Sequence, residues 1–194
     1  MRSAIAPAFA LFLGVALGGC DRNNAPEPQS KAEAPATKPT AKVDRSHKGE
    51  AAPAVPFLGP DGGPATLASF RGKPLVVNLW ATWCAPCIRE MPQLDALASD
   101  AGDRFRLIVV SQDMEGAKVV APFFAGKGFT TLEPYLDQQN VLMQALGTQT
   151  LPTTIFFDAK GKEQWRVLGA MDWNGAKAKK LIDEALNPPS GSAS

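Results

Sequence analysis

The 194-residue chain has one histidine (His47), one tyrosine (Tyr135) and three cysteines. A single histidine excludes a Ser-His-Asp site anywhere but around His47, and it excludes a multi-histidine metal centre. Three cysteines are too few for a disulfide scaffold. Neither sign of charge is in excess. Twenty Lys and Arg stand against 19 Asp and Glu, a formal net charge of +1. No broad basic surface is implied, and a nucleic-acid partner has no electrostatic support. What is present is ordinary globular composition, 45% hydrophobic and 20% charged, in a length that allows one domain plus appendages.

The N-terminus reads as an export signal. Arg2 supplies a positive start, residues 4–19 form an uncharged and mostly apolar run, and small residues close it, the layout of a secretory signal peptide. The run ends at Leu17-Gly18-Gly19-Cys20. This resembles the bacterial lipobox, in which the cysteine is lipidated and becomes the new N-terminus. Simple cleavage that leaves Cys20 a free thiol and an uncleaved anchor are the alternatives. The apolar run falls short of the roughly 20 residues that a span needs. All three readings place the rest of the chain outside the cytoplasm and leave two cysteines for chemistry.

Residues 21–53 contain no aromatic residue and a single large aliphatic, Val43. Such a segment buries too little apolar surface to offset the entropy of ordering, so residues 20–53 are predicted to be a disordered, lipid-anchored linker. Its reach is roughly 30 Å as a flexible chain. His47 falls inside it as a solvated side chain.

From residue 54 to 187 the composition becomes that of a folded domain. Phe57-Leu58 and Ala65-Thr66 flank a Gly-Pro-Asp-Gly-Gly turn and read as a hairpin. Pro74–Trp80 and Phe105–Val110 are short apolar runs and read as buried strands. Helical spacing covers 84–99, with Pro92 predicted to kink it, and helices follow at 115–126 and 139–146. Thr153–Phe157 and Glu163–Leu168 form a second hairpin, a last helix covers 175–186, and 188–194 is a disordered tail. Early β-α-β alternation followed by a hairpin and a helix indicates an α/β sandwich.

Chemistry concentrates at Trp83-Cys84-Ala85-Pro86-Cys87, directly after the first buried strand. With no second cysteine pair and no suitable histidine, a four-ligand zinc site cannot be assembled within one chain. A structural bridge across two residues closes a tiny loop and stabilises little. The spacing does suit reversible redox chemistry. Cys84 falls at a helix N-terminus, where unpaired N–H groups and the helix dipole favour a thiolate. Cys87 lies one turn deeper, placed to resolve a mixed disulfide formed at Cys84.

Val77-Asn78-Leu79-Trp80-Ala81-Thr82-Trp83-Cys84-Ala85-Pro86-Cys87, Glu90-Met91-Pro92, Leu151-Pro152-Thr153-Thr154, and Asp158 with Gly161 together resemble the membrane-anchored thiol-disulfide oxidoreductases of the TlpA/ResA type. The resemblance covers the whole folded domain. It implies a thioredoxin-like α/β fold, a central mixed β-sheet flanked by helices, with the N-terminal β-hairpin and a helix-containing insertion over about 113–146. It also implies that Pro152 is a cis-proline facing the cysteines. Leu151, just before it, would pair its backbone with an extended client segment. Trp83, Ala85 and Pro86 would complete the client-contacting surface. Where cytoplasmic thioredoxins carry a buried acid, this chain has Asn78, and the resemblance supplies Glu90 in its place. Glu90 is i+3 from Cys87, on the same helix face, where a carboxylate can take the proton of Cys87. A carboxyl reaching water at the mouth of the site would leave stability little changed in Glu90→Gln. Trp80 is expected in the core beneath the motif and Trp165 and Trp173 in structural roles, with no role assigned to the loop Gly169–Trp173. Lys177, Lys179 and Lys180 read as a solvated helix face.

Two rivals share this fold. Peroxiredoxins place a threonine three residues before the attacking cysteine, where this chain has Ala81. Copper carriers show Cys-x-x-x-Cys with a distant histidine, and neither feature is present. Ala85-Pro86 resembles the Gly-Pro of reducing thioredoxins, so a potential nearer about −250 mV than −120 mV is expected. The partners implied are disulfide-containing client proteins, with apocytochrome c and copper-site cysteines as candidates. A thiol-transporting membrane protein would be the electron donor, and the lipid anchor would hold the chain at the periplasmic side of the inner membrane. Asp21 resembles an inner-membrane retention signal. No cofactor or metal beyond the cysteine pair is expected.

Overall fold

The computed structural model describes residues 41–188. The predicted signal peptide, Cys20, the linker up to residue 40 and the tail from residue 189 lie outside the described residues. An eight-stranded mixed sheet runs in the order β1-β8-β7-β4-β5-β6-β2-β3. Its centre is β4 (Leu75–Trp80), buried along its whole length, which pairs in parallel with β5 (Arg106–Ser111) and antiparallel with β7 (Thr153–Phe157). A continuous apolar run at this position is what a strand covered on both faces requires.

Alternation along β4 divides the core. Leu75, Val77 and Leu79 join Ile108, Val110, Ile155 and Phe157 on one face, covered by a 3₁₀ turn (Leu67–Phe70) and α3 (Val141–Ala145). Val76 and Trp80 point to the other face. There they meet α1 (Ala85–Ala101), through Cys87, Met91 and Leu94, and α4 (Ala176–Leu186), through Ala178, Leu181 and Ile182. Asn78 falls by the same period on the α1 side, a polar residue in an otherwise apolar face.

The predicted elements recur with shifted ends. The N-terminal hairpin forms as β2 (Phe57–Leu58) and β3 (Pro64–Ala65). The insertion holds α2 (Ala117–Lys127), β6 (Pro134–Leu136), which pairs in parallel with β5, and α3. β8 (Glu163–Leu168) completes the second hairpin with β7. Pro92 lies within α1 without dividing it.

The linker prediction needs correcting at its C-terminal end. Residues 42–44 form β1, which pairs antiparallel with β8 at Lys42↔Leu168, Val43↔Val167 and Asp44↔Arg166. The chain then stays on the sheet. Gly49 N–H donates to Glu163 O at 2.7 Å, Glu163 N–H to Glu50 O at 2.9 Å, and Ala52 N–H to Gly161 O at 2.9 Å. His47 accordingly sits on the folded domain, its Nδ1 3.0 Å from Glu50 Oε2. The cause is the free edge of β8. An unpaired strand edge supplies backbone partners whatever the side chains are, and only the small Ala41 and Val43 pack there against the α1-side core.

Candidate active site

Cys84 and Cys87 form a disulfide, Cα–Cα 5.3 Å, at the start of α1. The strand end places it. β4 finishes at Trp80, Cys84 N–H donates back to Ala81 O at 3.1 Å, and Cys84 then caps the helix. Its Sγ accepts the Cys87 N–H at 3.4 Å, and its carbonyl accepts that of Ile88 at 3.1 Å. Pro86 stands in the first turn, where its missing N–H costs nothing. A sulfur held at the positive end of a 17-residue helix is favoured as a thiolate. The difference in access between the two cysteines is smaller than the sequence predicted. Cys84 is 6% exposed and Cys87 fully buried. The exposed neighbours are Trp83, at 70%, and Ala85, with Pro86 half-buried. Trp80 lies in the core against Phe123 and Phe124, ring centroids 5.0 and 5.8 Å away.

The Leu151–Pro152 peptide bond is cis. The antiparallel register ends at Leu79↔Thr153, so Pro152 stands beside the end of β4 from which the cysteine loop departs. Its carbonyl accepts Gly169 N–H at 2.9 Å. Pro152 is buried, and Leu151 is half-buried against both core clusters.

Glu90 does not reach water at the mouth of the site, as the sequence had suggested. It is 4% exposed, one turn below Cys87 on the face that α1 turns to the sheet. Asn78 Nδ2 donates to its Oε1 at 2.9 Å and Met171 N–H to its Oε2 at 3.2 Å. The Trp173 indole N–H faces the same carboxyl without completing a hydrogen bond. Burial outweighs these donors and raises the pKa from an ordinary 4.5 to about 7. Asn78 also donates to Thr154 Oγ1 at 2.9 Å, while its own Oδ1 has no partner. The residue at the position of the thioredoxin acid is thus hydrogen-bonded to Glu90. A protonated Glu90 can supply the donor that Asn78 Oδ1 lacks if the amide turns over.

Two features escaped the sequence reading. The loop Gly169–Trp173, to which no role was assigned, closes over α1. Besides the Met171 bond to Glu90, Trp173 N–H donates to Gln93 Oε1 at 2.8 Å. Asp113, just past β5, turns its buried carboxylate onto the segment leading to Cys84. It accepts Thr82 N–H at 2.9 Å and Thr82 Oγ1–H at 2.6 Å, and Ser111 Oγ–H at 2.8 Å. The only trace in the sequence is a polar Ser-Gln-Asp ending an apolar strand. Trp165 and Trp173 are both buried, the first donating its indole N–H to Leu181 O at 3.0 Å. Lys177, Lys179 and Lys180 lie exposed, as expected.

The arrangement is a redox switch at a surface. A cleft of about 360 Å3 lies between α1 and α4, lined by Leu97, Arg104 and Trp173 among others, and neither cysteine belongs to it.

Comparison with known proteins agrees. The family model described as Redoxin matches residues 47–184. The thiol-disulfide oxidoreductase ResA of Geobacillus thermodenitrificans is 30% identical over 123 residues, 63% of this chain and 70% of that protein. The thiol:disulfide interchange protein DsbE of Pseudomonas fluorescens biotype C is 34% identical over 130 residues, 62% of this chain and 68% of that protein. Among solved structures, an exposed lipoprotein thioredoxin of Streptococcus pneumoniae superposes with a TM-score of 0.57 at 26% identity. It covers 66% of this chain and 98% of that one. With a thioredoxin-like sheet, a Cys-x-x-Cys disulfide at the head of α1 and these relatives, the chain belongs to the Redoxin family as a thiol-disulfide oxidoreductase of the ResA and DsbE type.

Proposed function

We propose that the protein works as a reductase of disulfides in exported client proteins, tethered to the outer face of the cytoplasmic membrane through lipidated Cys20. The observation that carries this is the Cys84–Cys87 pair at the head of α1 with a carboxyl of pKa about 7 buried one turn below. In the reduced enzyme the Cys84 thiolate attacks one sulfur of a client cystine. That S–S bond breaks, and the departing client thiolate takes up a proton. Cys87 passes its proton to the ionised form of Glu90, which is populated from about pH 7 upward, and attacks Cys84 Sγ. The mixed disulfide breaks, the second client sulfur leaves as a thiolate and is protonated, and the Cys84–Cys87 disulfide forms. Two electrons have moved from enzyme to client. A membrane protein that carries thiol electrons across the bilayer would return them.

Ala85-Pro86 between the cysteines favours the reducing direction. The lipobox-like Leu17-Gly18-Gly19-Cys20 supports the tether, as does the lipoprotein among the similar structures. No helix of the described residues is long and apolar enough to cross a membrane, so anchoring would fall to residues 1–20. The client segment would lie along Leu151, ahead of Pro152, and against Trp83, Ala85 and Pro86. Apocytochrome c and proteins with copper-site cysteines are the client classes proposed.

Insulin reduction with single variants tests the assignment. Cys84→Ser is expected to abolish turnover and to form no mixed disulfide. Cys87→Ser is expected to abolish turnover while accumulating a mixed disulfide through Cys84. Faster alkylation of Cys87 than of Cys84 at limiting pH would reverse the roles given to the two thiols.

A further inference from the structure

Among the described residues two large apolar side chains stand exposed, Trp83 at 70% and Met114 at 78%. Single exposed apolar residues are ordinary on a protein surface. These two, however, flank one contact. Thr82 and Asp113, the residues immediately before them, are joined by the two hydrogen bonds at 2.9 and 2.6 Å. The fold therefore places Met114 beside the redox loop.

Met114 is also held in place. Asp113 is fixed by Ser111 on one side, and on the other Gln138 Nε2 donates to Met114 O at 3.4 Å. Gly116 adopts φ +54° so close under Gln138 that a Cβ there would collide with it. The collar around Cys84 is free of charge on Trp83, Ala85, Pro86 and Met114. The ionic side chains that follow Met114 in the sequence, Glu115 and Lys118, neutralise each other at 3.0 Å. On a fixed backbone the ordering entropy that packing must offset is confined to the side chains themselves.

Building on the reductase reading, we propose that Trp83 and Met114 form an apolar docking element for a partly unfolded client polypeptide. It takes an aliphatic or aromatic side chain next to the client's cystine. The uncharged collar selects such a segment over an acidic or basic one. Asp113 is the positioning residue that keeps the two halves of the element together.

The test uses the reduced full-length chain in single turnover against three disulfides: a peptide cystine flanked by leucines, the same peptide flanked by aspartates, and bis(2-hydroxyethyl) disulfide. The leucine-flanked peptide is expected to react fastest. Met114→Ser is expected to lower the ratio of leucine-flanked to aspartate-flanked rate constants about 5- to 10-fold, the loss of one well-placed apolar contact. Met114→Leu is expected to restore the ratio. A fall shared equally by all three disulfides would overturn the proposal in favour of a general effect on the redox loop, and so would a ratio that ignores position 114. If the unaltered chain reduces none of the three, the reductase reading itself fails, an outcome distinct from an active enzyme that is indifferent to Met114.

Discussion

Glu90 keeps its proton close to neutrality because burial outweighs the hydrogen bonds donated by Met171 and Asn78. The direction is opposite to that of a salt-bridged carboxylate, so the pH dependence inverts. Below about 4.5 the folded and unfolded chains both hold this proton, and Glu90 takes nothing from the stability of the fold. Between 4.5 and about 7 the unfolded carboxyl ionises while the folded one does not, and stability falls. The loss is complete above about 7 and amounts to about 3 kcal/mol. Glu90→Gln removes the titrating group. Its stability is expected to lack this component of the pH dependence, so that it gains on the parent across that window, by up to about 3 kcal/mol above pH 7, less the loss of an acceptor worth about 1 kcal/mol. Urea denaturation at pH 4.5, 6 and 8 checks this. The same variant is expected to reduce clients about 100-fold more slowly near neutral pH, while its thiol pKa falls because a nearby carboxylate no longer opposes a second negative charge. An unchanged pH–rate profile would remove Glu90 from proton transfer.

At the scale of elements, polar anchors do what apolar periodicity cannot. α3 is only five residues long and lies in the insertion, too short to hold itself together in water. Asp137, four residues before it, accepts Val141, Leu142 and Met143 N–H at 2.9, 3.0 and 3.2 Å. Asp137→Ala leaves these donors unpaired and is expected to cost about 2 kcal/mol, read as a lower urea midpoint at unchanged slope. Asp95 does a similar service between α1 and the segment 130–132, accepting three backbone N–H groups and the Thr130 hydroxyl. β8 carries a buried pair, with Arg166 donating to both Glu163 oxygens at 2.7 and 2.6 Å and to Leu146 O at 2.7 Å. None of these residues stands out in the sequence, because each acts on backbone or on a partner that only folding brings near. β1 was missed for a related reason. Its composition is that of a linker, and the edge of β8 recruits it through main-chain bonds.

At the scale of the whole molecule, the predicted tether makes a claim of its own. If Cys20 carries lipid, the chain is expected in the membrane fraction and labelled by a fatty acid, and Cys20→Ala is expected to release it with the redox domain still active. An unlabelled but exported protein would leave the enzyme and remove the anchor. The sequence by itself determined the strands β4, β5, β7 and β8, the helix that follows the cysteines, and the Cys84–Cys87 pair with Glu90 one turn on. Those are local facts of apolar period and of i, i+3 spacing, and the chain carries them before it folds. Tertiary structure decided the state of Glu90. Asn78 and Met171 meet it from 12 and 81 residues away, and the resulting burial, not the glutamate, moves its pKa. It likewise decided that Asp113 would clasp Thr82 across 31 residues and bring Met114 to the redox loop. Such contacts depend on which face a strand residue takes and where a loop returns, and both follow from packing, not from local pattern.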